Sequence, residues 1–233
     1  MDTRSLQIAN YRVEAKCFNE HFILLTGSIN QNLPLLGEAI FESNLPWIEE
    51  LINSETEICI KINESFNQAC LEDLLKIKPS TTRENHQYTI PIYFEQGSDW
   101  TEIQAITGLS FIELKTLLTN TEFVIAMHGF LPGFVYLKGL PEVLQLPRKS
   151  TPAKHRNKGD LACGGPYLGI YNVASPGGWY HLGSTPLNLL DLTKLPLSPF
   201  KIGDQLNLRS IDSDEYDQLR ITTPGIFEYN SGK

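Results

Sequence analysis

The chain predicts an α+β domain followed by a mainly-β domain that closes, or nearly closes, into a barrel. Three observations carry this. Residues 1–80 alternate strand-like and helix-like segments, the pattern of a small α+β layer. From Phe123 onward, short apolar runs are broken at close intervals by Gly and Pro, and most of the chain's 17 Gly and 14 Pro fall there, as closed β architectures require. Between the two, the polar run PSTTRENHQ has the composition of a linker. The expected organisation is therefore a first domain over 1–80, a barrel over 88–211, and a surface helix with a loose tail over 212–233.

The elements follow in order. Tyr11 to Phe18 and Phe22 to Leu25 are strand-like, and Glu57 to Ile62 alternates with Ile58, Ile60 and Ile62 on one face. Leu33 to Glu42 and Trp47 to Ile52 carry helical spacing, and Gln68 to Lys76 reads as a further helix. Past the linker, Tyr88 to Phe94 is a strand. Asp99 with Glu102 has the form of a capping box opening a short helix that Gly108 stops. Ser110 with Glu113 repeats the device and starts a helix whose Leu114, Leu117 and Leu118 share a face.

Bulk composition excludes several function classes. With 41% apolar and 20% charged residues the 233-residue chain can build cores. Its net charge of -8 and the lack of any long Lys/Arg block argue against nucleic acid and anionic lipid as partners. The start of the chain has no apolar signal core, and no apolar run approaches the ~20 residues of a bilayer span, so a cytoplasmic location is expected. Cys17, Cys59, Cys70 and Cys163 are scattered; reduced thiols and no disulfide are expected, and His21, His86 and His181 show no metal-ligand spacing.

Chemistry concentrates in two runs, Gly129 to Phe134 (GFLPGF) and Ser175 to Trp179 (SPGGW), which set aromatic rings beside backbone that Gly and Pro shape. Each ring, Phe130, Phe134 and Trp179, can plug a barrel end or wall a recess for a small planar ligand. Gly129 and Gly133 offer backbone N–H donors, and Ser175 to Gly178 reads as a turn whose amides could bind an anion. Arg148, between prolines in LPRKSTP, is placed to grip an anion in a bidentate way. Phe130, Gly133, Phe134, Arg148, Gly165, Tyr171, Gly177, Gly178 and Trp179 form the candidate ligand-binding set. His128, Asp160 and Tyr167 are secondary candidates, His128 because alternation from Phe123 turns it with Val124 and Ala126 to the face opposite Ile125 and Met127. No acid–base pair is placed by motif, and phosphate-loop signatures are missing.

GFLPGFVYLKGLP, LPRKSTP, GIYNVASPGGW and GSTPLNLLD make the stretch from about Tyr88 to Arg209 resemble the 5-oxoprolinase B-subunit family. That family, built on carboxyltransferase subdomains C and D, is also called allophanate hydrolase subunit 1 and includes a sporulation kinase inhibitor. The resemblance implies a cyclophilin-like barrel and a non-autonomous role. The chain would act with C-type and A-type 5-oxoprolinase partners in ATP-dependent opening of 5-oxoproline, with ATP bound by or with the partner. The resemblance also implies an alternative, docking on and inhibition of a histidine kinase. The glycine skeleton matches the family pattern while several polar positions differ. A second Pro-Arg reads Pro152, Ala153; a Gln-Thr-Gly reads Tyr167, Leu168, Gly169; the Arg of Gly-Arg-Thr-Pro is Ser184; and a helix-closing His falls at Leu118.

Overall fold

A computed structural model describes residues 3–63, 65–79, 85–193 and 197–222. The chain divides into two compact units, 1–84 and 85–233. The expected linker falls at this division, and its residues 80–84 lie outside the described ones.

The first unit is one antiparallel sheet with two helices. Its strands are β1 (Thr3–Ile8), β2 (Tyr11–Asn19), β3 (Phe22–Thr26), β4 (Ile48–Asn53) and β5 (Glu57–Ile62), ordered β1-β2-β3-β5-β4. Alternation sends Val13, Ala15, Ile23, Leu25, Ile58, Ile60 and Ile62 into the core. There they join Leu33, Leu36 and Ile40 of α1 (Leu33–Glu42) and Cys70 and Leu74 of α2 (Gln68–Lys76). Asn67 caps α2, its side chain accepting from the N–H groups of Ala69 and Cys70 at 2.8 and 3.2 Å.

The helical spacing over Trp47 to Ile52 is overruled: residues 48–53 form edge strand β4, paired with β5 through Leu51–Ile60 and Asn53–Ile58. A register shift between Ile48 and Glu50 lets a pattern that fits 3.6 residues per turn sit on a strand. The ladder that satisfies β5's free edge outweighs so short a local periodicity. Strand β1 carried no sequence signal, because only Leu6 and Ile8 of its six residues are buried.

In the second unit, β6 (Gln87–Ile92), β7 (Glu122–His128), β8 (Val135–Lys138), β10 (Asp160–Gly164), β11 (Tyr167–Ile170), β13 (Tyr180–Ser184) and β14 (Gln205–Ser210) form one sheet. Their order is β13-β10-β11-β8-β7-β14-β6. Just past β6, Tyr93 bridges to Ser184 of β13, with reciprocal backbone hydrogen bonds of 2.9 and 3.1 Å. That bridge joins the two edge strands, so the expected barrel is nearly closed. Strands β9 (Ala153–Arg156) and β12 (Ser175–Gly177) pair separately.

Two helices, α3 (Trp100–Thr107) and α4 (Phe111–Thr119), pack on the barrel through Trp100, Ile103, Leu114 and Leu118. Gly108 ends α3 in the left-handed region at φ 73°, as expected, and the Ser110–Glu113 capping box of α4 is complete. The Asp99–Glu102 box does not form. Asp99 makes no side-chain cap and turns away from its helix. Helix α5 (Ser213–Thr222) begins the expected C-terminal segment, whose residues 223–233 lie outside the described ones. No helix among the described residues is long and apolar enough to cross a membrane.

Candidate functional site

The run GFLPGF folds into a tight turn between β7 and β8. The Leu131 N–H donates to Gly129 O at 2.8 Å and the Phe134 N–H to Leu131 O at 3.0 Å. Gly133 sits at φ 72° and, unusually for a residue with a side chain, Phe130 at φ 63°. The outcome differs for the two rings. Phe134 is buried and Phe130 is 57% exposed, and they meet edge to face at 5.5 Å.

The Gly129 N–H is not free for a ligand, since it donates to Phe134 O at 3.2 Å. Ser175 to Gly177 is strand β12 and not a turn, because its backbone pairs with β9.

Around Phe134 the rings of Tyr136, Tyr171 and Trp179 stand edge-on at 5.1, 5.5 and 5.8 Å. Glycines make room for them. A Cβ on Gly164 would lie 2.5 Å from the Trp179 ring and one on Gly169 2.5 Å from Phe134, while one on Gly177 would overlap the Tyr171 hydroxyl. The two aromatic runs thus converge on one recess of about 290 Å³. Phe130, Phe134, Tyr136, Tyr171 and Trp179 wall it, Pro152, Pro176, Gly177 and Gly178 frame it, and Arg148 and Lys149 supply charge.

Seven of the sequence candidates therefore meet: Phe130, Phe134, Arg148, Tyr171, Gly177, Gly178 and Trp179. Five lie off the lining. Gly133 packs on Leu190 and accepts from Asn172 Nδ2. Gly165, at φ 59°, turns the chain between β10 and β11. Tyr167 stacks edge-on behind Tyr136 at 5.5 Å. His128 ends β7 opposite Val135, and a bulge between Ile125 and Met127 breaks the alternation expected to orient it. Asp160 is buried and hydrogen-bonded to Ser184 and to the Asn157 N–H.

Sequence reasoning missed Tyr136, although its position two residues past Phe134 was a usable signal of a shared face. It also missed Lys149 and the charges beneath it. Asp99 Oδ1 accepts from Lys149 Nζ at 2.7 Å, and its Oδ2 accepts from Arg156 Nη2 at 2.9 Å and from the His181 N–H at 2.7 Å. Burial pushes the Asp99 carboxyl up, but the His181 N–H, the Lys149 ammonium and the Arg156 guanidinium outweigh it and hold the group below its ordinary value. Burial raises both the Tyr136 and Tyr171 phenols. Arg148 opposes burial at both, as does Arg156 at Tyr171, and the net shift stays upward, so each phenol remains a protonated donor at neutral pH.

A buried Ser184–His181–Asp160 group lies in the barrel wall. Ser98 N–H donates to His181 Nδ1 at 3.2 Å, while Nε2 faces both Ser184 Oγ at 3.4 Å and Asp160 Oδ1 at 3.5 Å. Ser184 and Asp160 share Nε2, which does not align those two as a relay, and the Ser98 Oγ lies 3.2 Å from Nδ1. Burial depresses the His181 pKa, partly offset by Asp160, so the ring is neutral. The group does not line the recess.

Residues 16–200 match the model of the carboxyltransferase domain, subdomain C and D, and the chain belongs to that family. Over 155 residues it is 32% identical to the 5-oxoprolinase B subunit of Bacillus subtilis (strain 168), covering 66% of this chain and 65% of that protein. Over 95 residues it is 41% identical to the 5-oxoprolinase B subunit of Escherichia coli O157:H7, covering 41% and 44%. The chain thus spans less than two thirds of the length of either relative. The Kluyveromyces lactis urea carboxylase crystal structure superposes over 95% of this chain and 24% of its own, with a TM-score of 0.70 at 16% identity, a likeness of fold.

Proposed function

We propose that this carboxyltransferase subdomain C and D chain is the B component of a 5-oxoprolinase-type cyclic amide hydrolase, with its aromatic recess as the substrate wall. The observation that carries this reading is the recess itself: five rings, one rim guanidinium and two phenolic donors around about 290 Å³. That size sits at the lower edge of the ~300–1,000 Å³ typical of small-molecule sites, which suits a compact ring better than an extended ligand. Arg148 would hold the carboxylate of 5-oxoproline, the Tyr136 and Tyr171 hydroxyls would donate to its amide oxygen, and Phe130, Phe134 and Trp179 would exclude water from the ring. The names of the two curated relatives support the same reading.

Among the described residues no nucleophile with its own base opens on the recess, which supports a chain that needs a partner. A nucleoside triphosphate does not fit this recess either. Its volume is small, and Lys149, one of its two cations, is already held by Asp99 at 2.7 Å and Glu102 at 2.8 Å. ATP is therefore assigned to a C-type homologue, with an A-type homologue completing the reaction. Co-expression with matching C-type and A-type partners tests this. ATP-dependent release of glutamate from 5-oxoproline should require this chain; equal release with and without it would refute the assignment.

A further inference from the structure

Asp99 occupies a helix-cap position in sequence, yet its partners lie on three other segments. Lys149 belongs to the loop that carries Arg148, Arg156 to β9, and His181 to β13. From the same Nη2 that meets Asp99, Arg156 donates to the Trp179 carbonyl at 2.9 Å, and the Lys149 N–H donates to Gly178 O at 2.8 Å. Both sides of the recess are therefore tied to one carboxylate, which is nearly buried with Arg156 (side chains 12% and 6% exposed).

The charges beneath the recess also balance. Lys149 meets Asp99 and Glu102 and lies over the Tyr180 ring at 5.1 Å, while Arg156 meets Asp99. Two cations thus face two carboxylates. Arg148, exposed at the rim, has no carboxylate in ion-pair distance among the described residues. It offers the recess one uncompensated positive charge.

We infer that Asp99 is a positioning and specificity-determining residue of the recess: by holding Lys149 and Arg156 it leaves Arg148 as the cation a ligand meets, and so selects small ligands with a single negative charge. This rests on reading the recess as the ligand site. Asp99→Asn keeps the size and, with its amide oxygen toward Arg156 and the His181 N–H, two of the three accepted bonds, but it turns an NH2 toward Lys149 and leaves one positive charge in excess. In wild type, 5-oxoproline should bind at least tenfold more tightly than the dianion glutarate. In the variant that preference should narrow at least threefold, and an unchanged preference in folded Asp99→Asn would overturn the assignment.

A second readout needs no ligand. Fluorescence of Trp179, isolated by subtracting the matching Trp179→Phe protein, is quenched by iodide or caesium according to the local potential. The iodide-to-caesium ratio should rise about twofold in Asp99→Asn and fall in Lys149→Gln, which also covers an Asp99→Asn protein that does not fold. A ratio equal in all three proteins would overturn the inference. If wild type binds neither small ligand while the ratio moves as stated, the substrate reading fails and the role of Asp99 stands.

Discussion

The two units solve burial in different ways. Among the described residues of the first unit no charged or amide side chain is buried, and its core is built from Ile, Leu and Val with a few rings and small residues. The second unit buries Arg156, Asp160, Asn172, His181, Ser184, Thr185, Ser198 and Asp204. The first unit's core is apolar, whereas the second places polar groups where a mispaired charge is costly. One such cluster lies next to the recess, where the buried Arg156 meets Asp99, which also holds Lys149.

Asp99 is where this difference is most easily destroyed. Asp99→Ala leaves the buried Arg156 without a carboxylate and Lys149 with Glu102 alone, and stability of the second unit should fall by about 3–5 kcal/mol. Hydrogen exchange at β10 and β13 amides would show this while β3 and β5 amides keep their protection. The mirror experiment is Ile60→Val, where loss of one buried methylene should cost the first unit about 0.5–1.5 kcal/mol and leave β10 and β13 unchanged.

Acid separates the units further. His181 is held below its ordinary value, so the unfolded chain takes up its proton first. The stability this contributes is whole above about pH 6.5 and is lost as pH falls toward the lower folded value. Asp99, also held low, contributes above about pH 4 and loses that contribution as pH falls through its folded value. Melting between pH 7 and 5 should therefore weaken the second unit, and His181→Gln should flatten that stretch of the profile.

The smallest effect is chemical. Burial pushes the Cys163 thiol up to about 12 and Cys70 is also buried, while Cys17 and Cys59 are partly exposed. An aromatic disulfide reagent should titrate two thiols in the native protein and four after unfolding.

These contrasts also explain what the sequence could reveal. Alternation marked β5 and glycine marked the end of α3, because each is decided within a few residues. The convergence of GFLPGF and SPGGW on one recess was legible in part as composition: Gly177, which admits Tyr171, lies in SPGGW, whereas Gly164 and Gly169, which admit Trp179 and Phe134, lie on β10 and β11 outside both runs. Asp99 was not legible. Its spacing to Glu102 fits a local cap, and only long-range partners, 50 residues away at Lys149 and 57 at Arg156, recruit its carboxylate. β4 was missed for a related reason, its partner strand overruling a helical spacing that is real.

The most direct test of the recess as substrate wall follows the Trp179 indole N–H by NMR during 5-oxoproline titration of the complex with a C-type partner. A saturable shift of Trp179 is expected, with Trp47 and Trp100 still and affinity reduced at least tenfold by Arg148→Ala. A saturable shift confined to Trp47 or Trp100, or one that Arg148→Ala leaves unchanged, would contradict the assignment.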